Sequence, residues 1–337
     1  MKSMGRRFGM YALAGILLIT LTALQAVEAA EVQRYVMGSG PMGGPWKIGV
    51  GAGVQLINEE LKDKYFFTAA ASGGSVENTR RLAAGEYDTI WIQGGNMYEV
   101  WTGTGLFAGK KPYTEMRMME YLIDQALNIV VLAKSPIRSL SDLAGKKVNM
   151  GPAGSGWVDI TKTMMKALGI ENKVKANFLN FEAGAQALKD GQIDATFSPG
   201  GPFATPAIVE IARSVPIRLI EPQPEEGNKI VAAIPYLHVG VIPANKAPGE
   251  NSDRDRKAFC GAVYWVAQAK MPEQVVYDLL KVTQEPKNKE LLGKVLSYWT
   301  TAGPKFDEIA KFGIPLHPGA ARYWKEQGAK IPAEMLK

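Results

Sequence analysis

Gly38, Gly40 and Gly43 in "YVMGSGPMGGPW" spell G-x-G-x-x-G after a short apolar run. In a dinucleotide site this spacing lets backbone N–H groups at a helix start approach a pyrophosphate. Such a site also needs an acid at the end of the following strand to hold the ribose hydroxyls. That strand end reads "AAASGGS", with no acid. The turn is therefore expected to serve a small anion, and no cofactor is expected. The available acid–base groups are Asp88, Glu182, Asp194 and His317, and none is paired at a spacing useful for general acid–base work. Asp88 and Asp194 read as strand-start residues, and His317 in "IPLHPGA" as a turn-fixing one. One cysteine, Cys260, and two histidines, His238 and His317, make neither an intramolecular disulfide nor a zinc spacing, so no metal site is expected. Cys260 in "RKAFCGAVYWVAQ" reads as a small apolar core residue rather than a nucleophile.

Five loops carry the candidate binding chemistry: "SGPMGGPW" (39–46), "SGGSVEN" (72–78), "QGGN" (93–96), "GPAGSGW" (151–157) and "SPGGPF" (198–203). All are rich in glycine, serine and small polar residues. Unobstructed N–H groups at helix starts hold a carboxylate or another small anion. The same composition also suits tight turns and helix caps. The binding candidates are Ser39, Met42, Gly43 and Trp46 in the first loop, and Ser72, Gly74, Ser75 and Asn78 in the second. Gln93 and Gly94 follow in the third, Gly154, Ser155, Gly156 and Trp157 in the fourth, and Gly200, Gly201 and Phe203 in the fifth. Trp46 and Trp157 directly follow glycine turns and suit a pocket wall as well as a core. Trp91 is open in the same way, and Trp101 reads as core. Lys47 is the only basic residue in or beside these turns.

The elements that would position the loops come from alternation of apolar runs with amphipathic stretches. "VQRYVMG", "YFFTAAA" and "DTIWIQG", then "KKVNMG", "VKANFLN" and "IDATFS", read as strands, each leading into a turn and a helical pattern. The chain also repeats itself. "LAAGEYDTIW" and "LKDGQIDATF" share L-x-x-G-x-x-D-x-x-aromatic, where a helix closes on a left-handed glycine and a strand follows the aspartate. The fold class expected is α/β: two Rossmann-like lobes joined by two crossing strands, with a ligand cleft between them. The crossings are assigned to "ALNIVVLAKSPI" (126–137) and "YLHVGVIPANK" (236–246), whereas "SDRDRKAFCGAVYWVAQAK" and "PEQVVYDLLKVTQ" read as helices of the returning segment. Lobe 1 is then residues 30–128 and 242–337, and lobe 2 residues 129–241.

Residues 1–29 read as a cleaved signal peptide. Lys2, Arg6 and Arg7 precede an uncharged run from Phe8 to Val27, and Val27 and Ala29 fit positions −3 and −1 of a cut. No cysteine sits there to carry a lipid. A periplasmic location follows. Removing three cations and one anion from the net charge of +6 leaves +4, without a dense cationic run, which argues against a nucleic-acid partner.

On "SGPMGG", "SGGSVENTRRLAAGEYD", "SLSDLAGKKVNMGPAGSG", "ALKDGQIDATF" and "IPLHPGAARYWKEQG", the chain resembles the TAXI group of solute-binding proteins that serve TRAP-type secondary transporters. The resemblance runs from about residue 33 to about residue 328. It implies a hinged two-lobed receptor of the type II periplasmic binding protein class, without catalysis, that hands an organic acid or amino acid to membrane permease subunits in a transient contact. It would place Ser39, Gly43, residues 72–78, Gln93 and residues 154–156 around the ligand. The group commonly reads G-G-x-Y-Y-P-x-G in its first loop and carries a small polar residue after "GPAGSG". Here the loop is "GGPWKIG", and Trp157 follows "GPAGSG". Both departures put indole where polar groups are usual and favour a carboxylate with an apolar or aromatic body. A monomer is expected. A receptor reporting to a sensor or chemoreceptor, and a secreted enzyme, are the alternatives.

Overall fold

A computed structural model describes residues 31–200, 203–306, 310 and 312–336. The expected signal segment, residues 1–29, lies outside them, as does Gly201. Among the described residues no helix is long and apolar enough to cross a membrane.

In the first lobe β1 (Gln33–Gly38), β2 (Tyr65–Ala70) and β3 (Thr89–Gln93) lie parallel in the order β2-β1-β3. They alternate with α1 (Pro45–Glu60), α2 (Ser75–Ala83) and α3 (Gly94–Thr102). Then β4 (Met116–Leu132) runs out of this lobe into a second parallel set, β5 (Lys147–Asn149), β6 (Lys175–Asn177) and β7 (Ala195–Pro199). Its helices are α4 (Gly156–Ala167), α5 (Phe181–Lys189), α6 (Pro206–Ala212) and α7 (Pro224–Ala233), with short strands β8 (Ile217–Leu219) and β9 (His238–Ile242) at its margins. Finally β10 (Arg256–Gln268) returns, and α8 (Glu273–Gln284), α9 (Pro286–Val295), α10 (Tyr298–Thr301) and α11 (Pro318–Glu326) cover the first lobe. The sheet order is β2-β1-β3-β10-β4-β7-β5-β6, with β8 on β4 and β9 on β10.

The internal repeat is realised atom for atom. Gly85 and Gly191 both take left-handed backbone, at φ 77° and 70°. Asp88 then accepts the Val36 N–H at 2.7 Å, and Asp194 accepts the Lys147 N–H at 2.8 Å. In each lobe the aspartate clips the last-formed strand to the first. These carboxylates build strands, as strand-start residues should.

The crossings differ from expectation. β4 is one of them, but it begins well before residue 126. The other is β10, the stretch read as a helix, while "YLHVGVI" forms only the marginal β9 that pairs with it. The physical reason is burial on both faces. β10 lies between β4 on one side and β3 and β9 on the other, and all but Lys257 and Ala262 are buried among its residues 256–268. A strand flanked on both sides shows no alternation, and its unbroken apolar run imitates a buried helix. The apolar cores part along the two long strands: Ile123 and Val263 belong to the first core, and Ala126 and Cys260 to a core of the second lobe. The return to lobe 1 therefore falls inside β10 and not at residues 241–242. Trp101 is half-buried against the first core, and Cys260 is buried in the second lobe.

Candidate functional site

Between the lobes lies a small cavity of about 30 Å³ lined by Pro41, Gly44, Pro45, Trp46, Gly74, Ser75, Gln93, Gln125, Ser155, Trp157, Phe181 and Pro199. Five helices begin on it. Gly44 precedes α1, Gly74 precedes α2, Gln93 precedes α3, Ser155 precedes α4, and Phe181 opens α5. The Ser155 Oγ accepts the Trp157 N–H at 3.3 Å, and Asn180 caps α5 through the Ala183 N–H at 2.7 Å. The starts of α1, α2 and α3 have no side-chain cap. Each helix start carries about half a positive charge, concentrated on N–H groups that lack a partner within the helix. Among the described residues no charged side chain lines the cavity. Backbone N–H groups are thus the donors offered to the cavity, with Glu77, Asp159 and Glu182 in the first turns of α2, α4 and α5 off its lining, while Trp46, Trp157 and Phe181 supply apolar walls.

One side chain organises the floor. Gln125, at the middle of β4, accepts the Trp157 Nε1–H at 3.1 Å and donates to the Gly200 carbonyl at 2.7 Å and to the Tyr298 hydroxyl. Tyr298 donates to the same Gly200 oxygen at 2.9 Å and stacks on Trp91. Burial pushes its phenol far above the ordinary range, so it stays neutral. Neither Gln125 nor Tyr298 stood out in the sequence. The available signal was the pair of amides, Gln125 and Asn128, inside the largely apolar run "EYLIDQALNIVV".

Of the expected binding residues, Trp46, Gly74, Ser75, Gln93, Ser155 and Trp157 line the cavity. Trp46 and Trp157 are at once wall and core, buried in the first and second lobes respectively. Several others do different work. Ser39 Oγ donates to the Ala70 carbonyl at 2.7 Å, and the Ser39 carbonyl receives Asn78 Nδ2 at 2.7 Å and Ser72 Oγ at 3.3 Å. These three tie the end of β1 to α2 behind the lining. Met42 is 66% exposed and points away. Gly94 sits under the Tyr264 ring, and Phe203 packs half-buried on the second lobe while its carbonyl receives Asn128 Nδ2 at 2.6 Å. Gly200 serves through its backbone: its N–H donates to the Ala126 carbonyl and its own carbonyl receives Gln125 and Tyr298. Lys47 reaches the Ala69 carbonyl at 3.4 Å and is not on the lining.

Gly43, Gly154 and Gly156 belong to a different surface, where the lobes meet. A Cβ on Gly43 would strike Glu182 of the second lobe, and one on Gly156 would strike Asn96 and Gln93 of the first. A Cβ on Gly73 would lie 2.5 Å from the Ala153 carbonyl oxygen and 3.3 Å from Gly154 Cα. The glycine-rich loops let the two backbones come together, and the lobes are closed on each other. Across the rim Tyr236 donates to Glu99 at 2.8 Å. Burial raises the carboxyl of Glu99 above its usual range, and burial first, then the nearby Glu99 charge, lifts Asp159 to about 6.

The remaining acid–base candidates stand away from the lining. His317 caps α11, its Nδ1 accepting the Gly319 N–H at 3.2 Å, and its Nε2 faces the Met271 carbonyl at 2.9 Å. That pattern requires the neutral imidazole protonated on Nε2, and desolvation lowers its pKa to about 4. Desolvation, with the Asp124 charge, pushes the Cys260 thiol up to about 12, which suits an inert core residue rather than a nucleophile. The histidines and the cysteine are not as scattered as their spacing implies: His238 and Cys260 meet Asp124 within 4.8 Å, remote from the cavity.

Two solved structures resemble this arrangement. A periplasmic transporter shares 16% identity over 90% of this chain and 99% of its own, with a TM-score of 0.53. A structure from work on glutathione import in Gram-positive bacteria via GshT and the cystine ABC importer TcyBC of Streptococcus mutans shares 14% identity over 80% of this chain and 95% of its own, with a TM-score of 0.50. At these identities the likeness concerns the fold, which is that of type II periplasmic binding proteins. The NMT1-like family matches residues 37–328, nearly all of the two lobes and both crossing strands. The chain belongs to the NMT1-like family.

Proposed function

We propose that this protein is an extracytoplasmic receptor that closes its two lobes over a small organic anion, a carboxylate with an apolar or aromatic body, and passes it to a membrane transporter. The observation that carries this reading is the convergence of five helix starts, three of them uncapped, on an inter-lobe cavity without lining charges and walled by Trp46, Trp157 and Phe181. Backbone N–H groups at helix starts bind anions, and a charge-free lining would reject cations. Binding rather than catalysis fits the acid–base groups, since Asp88, Asp194 and His317 are each engaged in holding backbone. The loop resemblance favours a TRAP-type permease as recipient. An ABC-type importer is the second reading, because a fold neighbour comes from work on such a system. Uptake of the loaded protein's ligand by proteoliposomes carrying one or the other transporter separates them.

Ser75→Asp tests the anion reading. It sets a carboxylate on the uncapped start of α2, facing the cavity, where the helix field stabilises it by ~0.3–2 kcal/mol. Ser75 is buried and its Oγ accepts the Gln93 N–H, so Ser75→Asn, of the same shape without the charge, is the reference against which the ligand-free variant is compared. Carboxylates that raise the parent's melting temperature, in proportion to the logarithm of their excess over Kd, should no longer do so. In the parent, such a screen should favour carboxylates with aromatic or apolar bodies over compact dicarboxylates, sugars and polyamines. A cationic ligand would instead bind Ser75→Asp more tightly, and that result would overturn the proposal.

A further inference from the structure

On the face of the crossing strands opposite the cavity, three side chains of different chemistry meet. Cys260 on β10 pairs with His238 on β9, and Asp124 on β4 lies one diagonal step away, opposite Ala262. Gln125 faces the cavity, so strand alternation turns Asp124 to the other side. One potential ligand atom from each residue lies within 4.8 Å of the other two. His238 Nε2 stands 2.7 Å from Asp124 Oδ2. The second carboxylate oxygen, Asp124 Oδ1, is buried without a hydrogen-bond partner, which is costly to leave so. The space over the sulfur is kept open by Gly240, where a Cβ would come within 2.7 Å of Cys260 Sγ. A groove lined by Pro235, Tyr236, His238, Ala262, Tyr264 and Phe312 leads to the imidazole from solvent. Thus the sulfur forms a buried floor, and the half-exposed imidazole and the carboxylate stand at the mouth.

We propose that Asp124, His238 and Cys260 form a three-ligand site for a zinc-like divalent cation on the back of the crossing strands, its fourth position open to water or a small ligand. A thiolate, an imidazole and a carboxylate are the donor types that zinc takes at about 2.0–2.3 Å in tetrahedral geometry. The sulfur and nitrogen donors select zinc, cobalt or cadmium over magnesium and calcium, which prefer oxygen alone. Binding replaces the His238–Asp124 contact by two metal bonds, leaves the imidazole neutral with its proton on Nδ1, and releases the thiol proton to solvent, so affinity rises with pH. Motion of side chains suffices to bring the three donors to bonding distance, because their strands are already paired.

The test uses untagged, reduced full chain, stripped with a chelator and titrated with Co²⁺. One equivalent should bind, with intense visible bands of a tetrahedral ion and a thiolate-to-cobalt charge-transfer band in the near ultraviolet, all displaced by Zn²⁺. Cys260→Ser should lose the charge-transfer band. His238→Gln, altering a half-exposed side chain and so expected to fold whatever becomes of the cysteine variant, should weaken Co²⁺ by more than the roughly 10–100-fold that loss of a mere supporting hydrogen bond costs a metal site. Absence of the charge-transfer band in the parent, its survival in Cys260→Ser, or an unchanged affinity in His238→Gln would each overturn the assignment.

Discussion

Gly73→Ala is the sharpest perturbation of closure that the geometry offers. Gly73 is not in the left-handed region, so alanine is tolerated by its own backbone, and its N–H can keep Glu77 at 2.7 Å. What alanine meets is the opposite lobe: its Cβ would stand 2.5 Å from the Ala153 carbonyl oxygen. Backbone cannot swing aside as a side-chain end can, so the lobes must part by several tenths of an ångström or more. Overpacking of this kind costs about 1–3 kcal/mol. Here the cost falls on the closed form alone, since Ala153 is absent from the neighbourhood once the lobes separate. If ligand binds only the closed form, its affinity should fall by the same amount, roughly 5- to 150-fold at 1.4 kcal/mol per decade. Loss of a glycine from the unfolded chain adds about 0.4–1 kcal/mol of stability, so the ligand-free variant should melt at or slightly above the parent. The small molecule that co-purifies with the parent, identified by native mass spectrometry, serves as titrant in calorimetry. Scattering with and without it should show the parent contracting and Gly73→Ala contracting less. Equal affinity and equal contraction in the two proteins would refute the role given to the glycine loops. A melting temperature several degrees lower without ligand would show instead that Gly73 supports its own lobe.

Further outcomes follow from single groups. Gln125→Ala should weaken the same ligand by about 1–3 kcal/mol, read by calorimetry, because the amide joins Trp157, Gly200 and Tyr298 and their buried polar atoms lose a partner. His317, lowered to about 4 in the folded chain against 6.5 unfolded, stabilises fully above pH 6.5 and loses that contribution as pH falls toward 4, up to roughly 3 kcal/mol. His317→Asn keeps a helix cap, should cost about 1 kcal/mol near pH 7.5, and should flatten the melting profile between those pH values. Glu120 is buried and raised to about 8 chiefly by desolvation, with Gln284 on one oxygen and the other unpaired. A raised carboxyl makes folding less favourable as pH climbs from 4.5 through 8, so Glu120→Gln should match the parent near pH 5 and melt higher above pH 8.

Much of this molecule was legible from residue order because its chemistry is carried by backbone. A turn that presents N–H groups must be glycine- or serine-rich, so the loops around the cavity announce themselves in composition, and the paired L-x-x-G-x-x-D segments announce two lobes. What composition withholds is direction. Within "SGPMGGPW", Ser39 turns inward to tie β1 to α2, Met42 turns to solvent, Gly43 turns to the other lobe, and only Pro41, Gly44, Pro45 and Trp46 face the cavity. Residue type is the same currency for all four destinations. The misread β10 has a related cause: a strand paired on both edges and buried on both faces has no polar face, so the twofold period that would have named it is erased. Gln125 was hidden by the same run of apolar neighbours on β4, although a buried amide there, like Asn128 beside it, must be satisfied by something. Glu120 and Asn128 are buried on the same strand and serve other partners, so polarity inside the run marks candidates without saying which of them faces the site. In this chain Gln125 sits on the crossing strand, where its amide meets Trp157 of the second lobe and Tyr298 of the first.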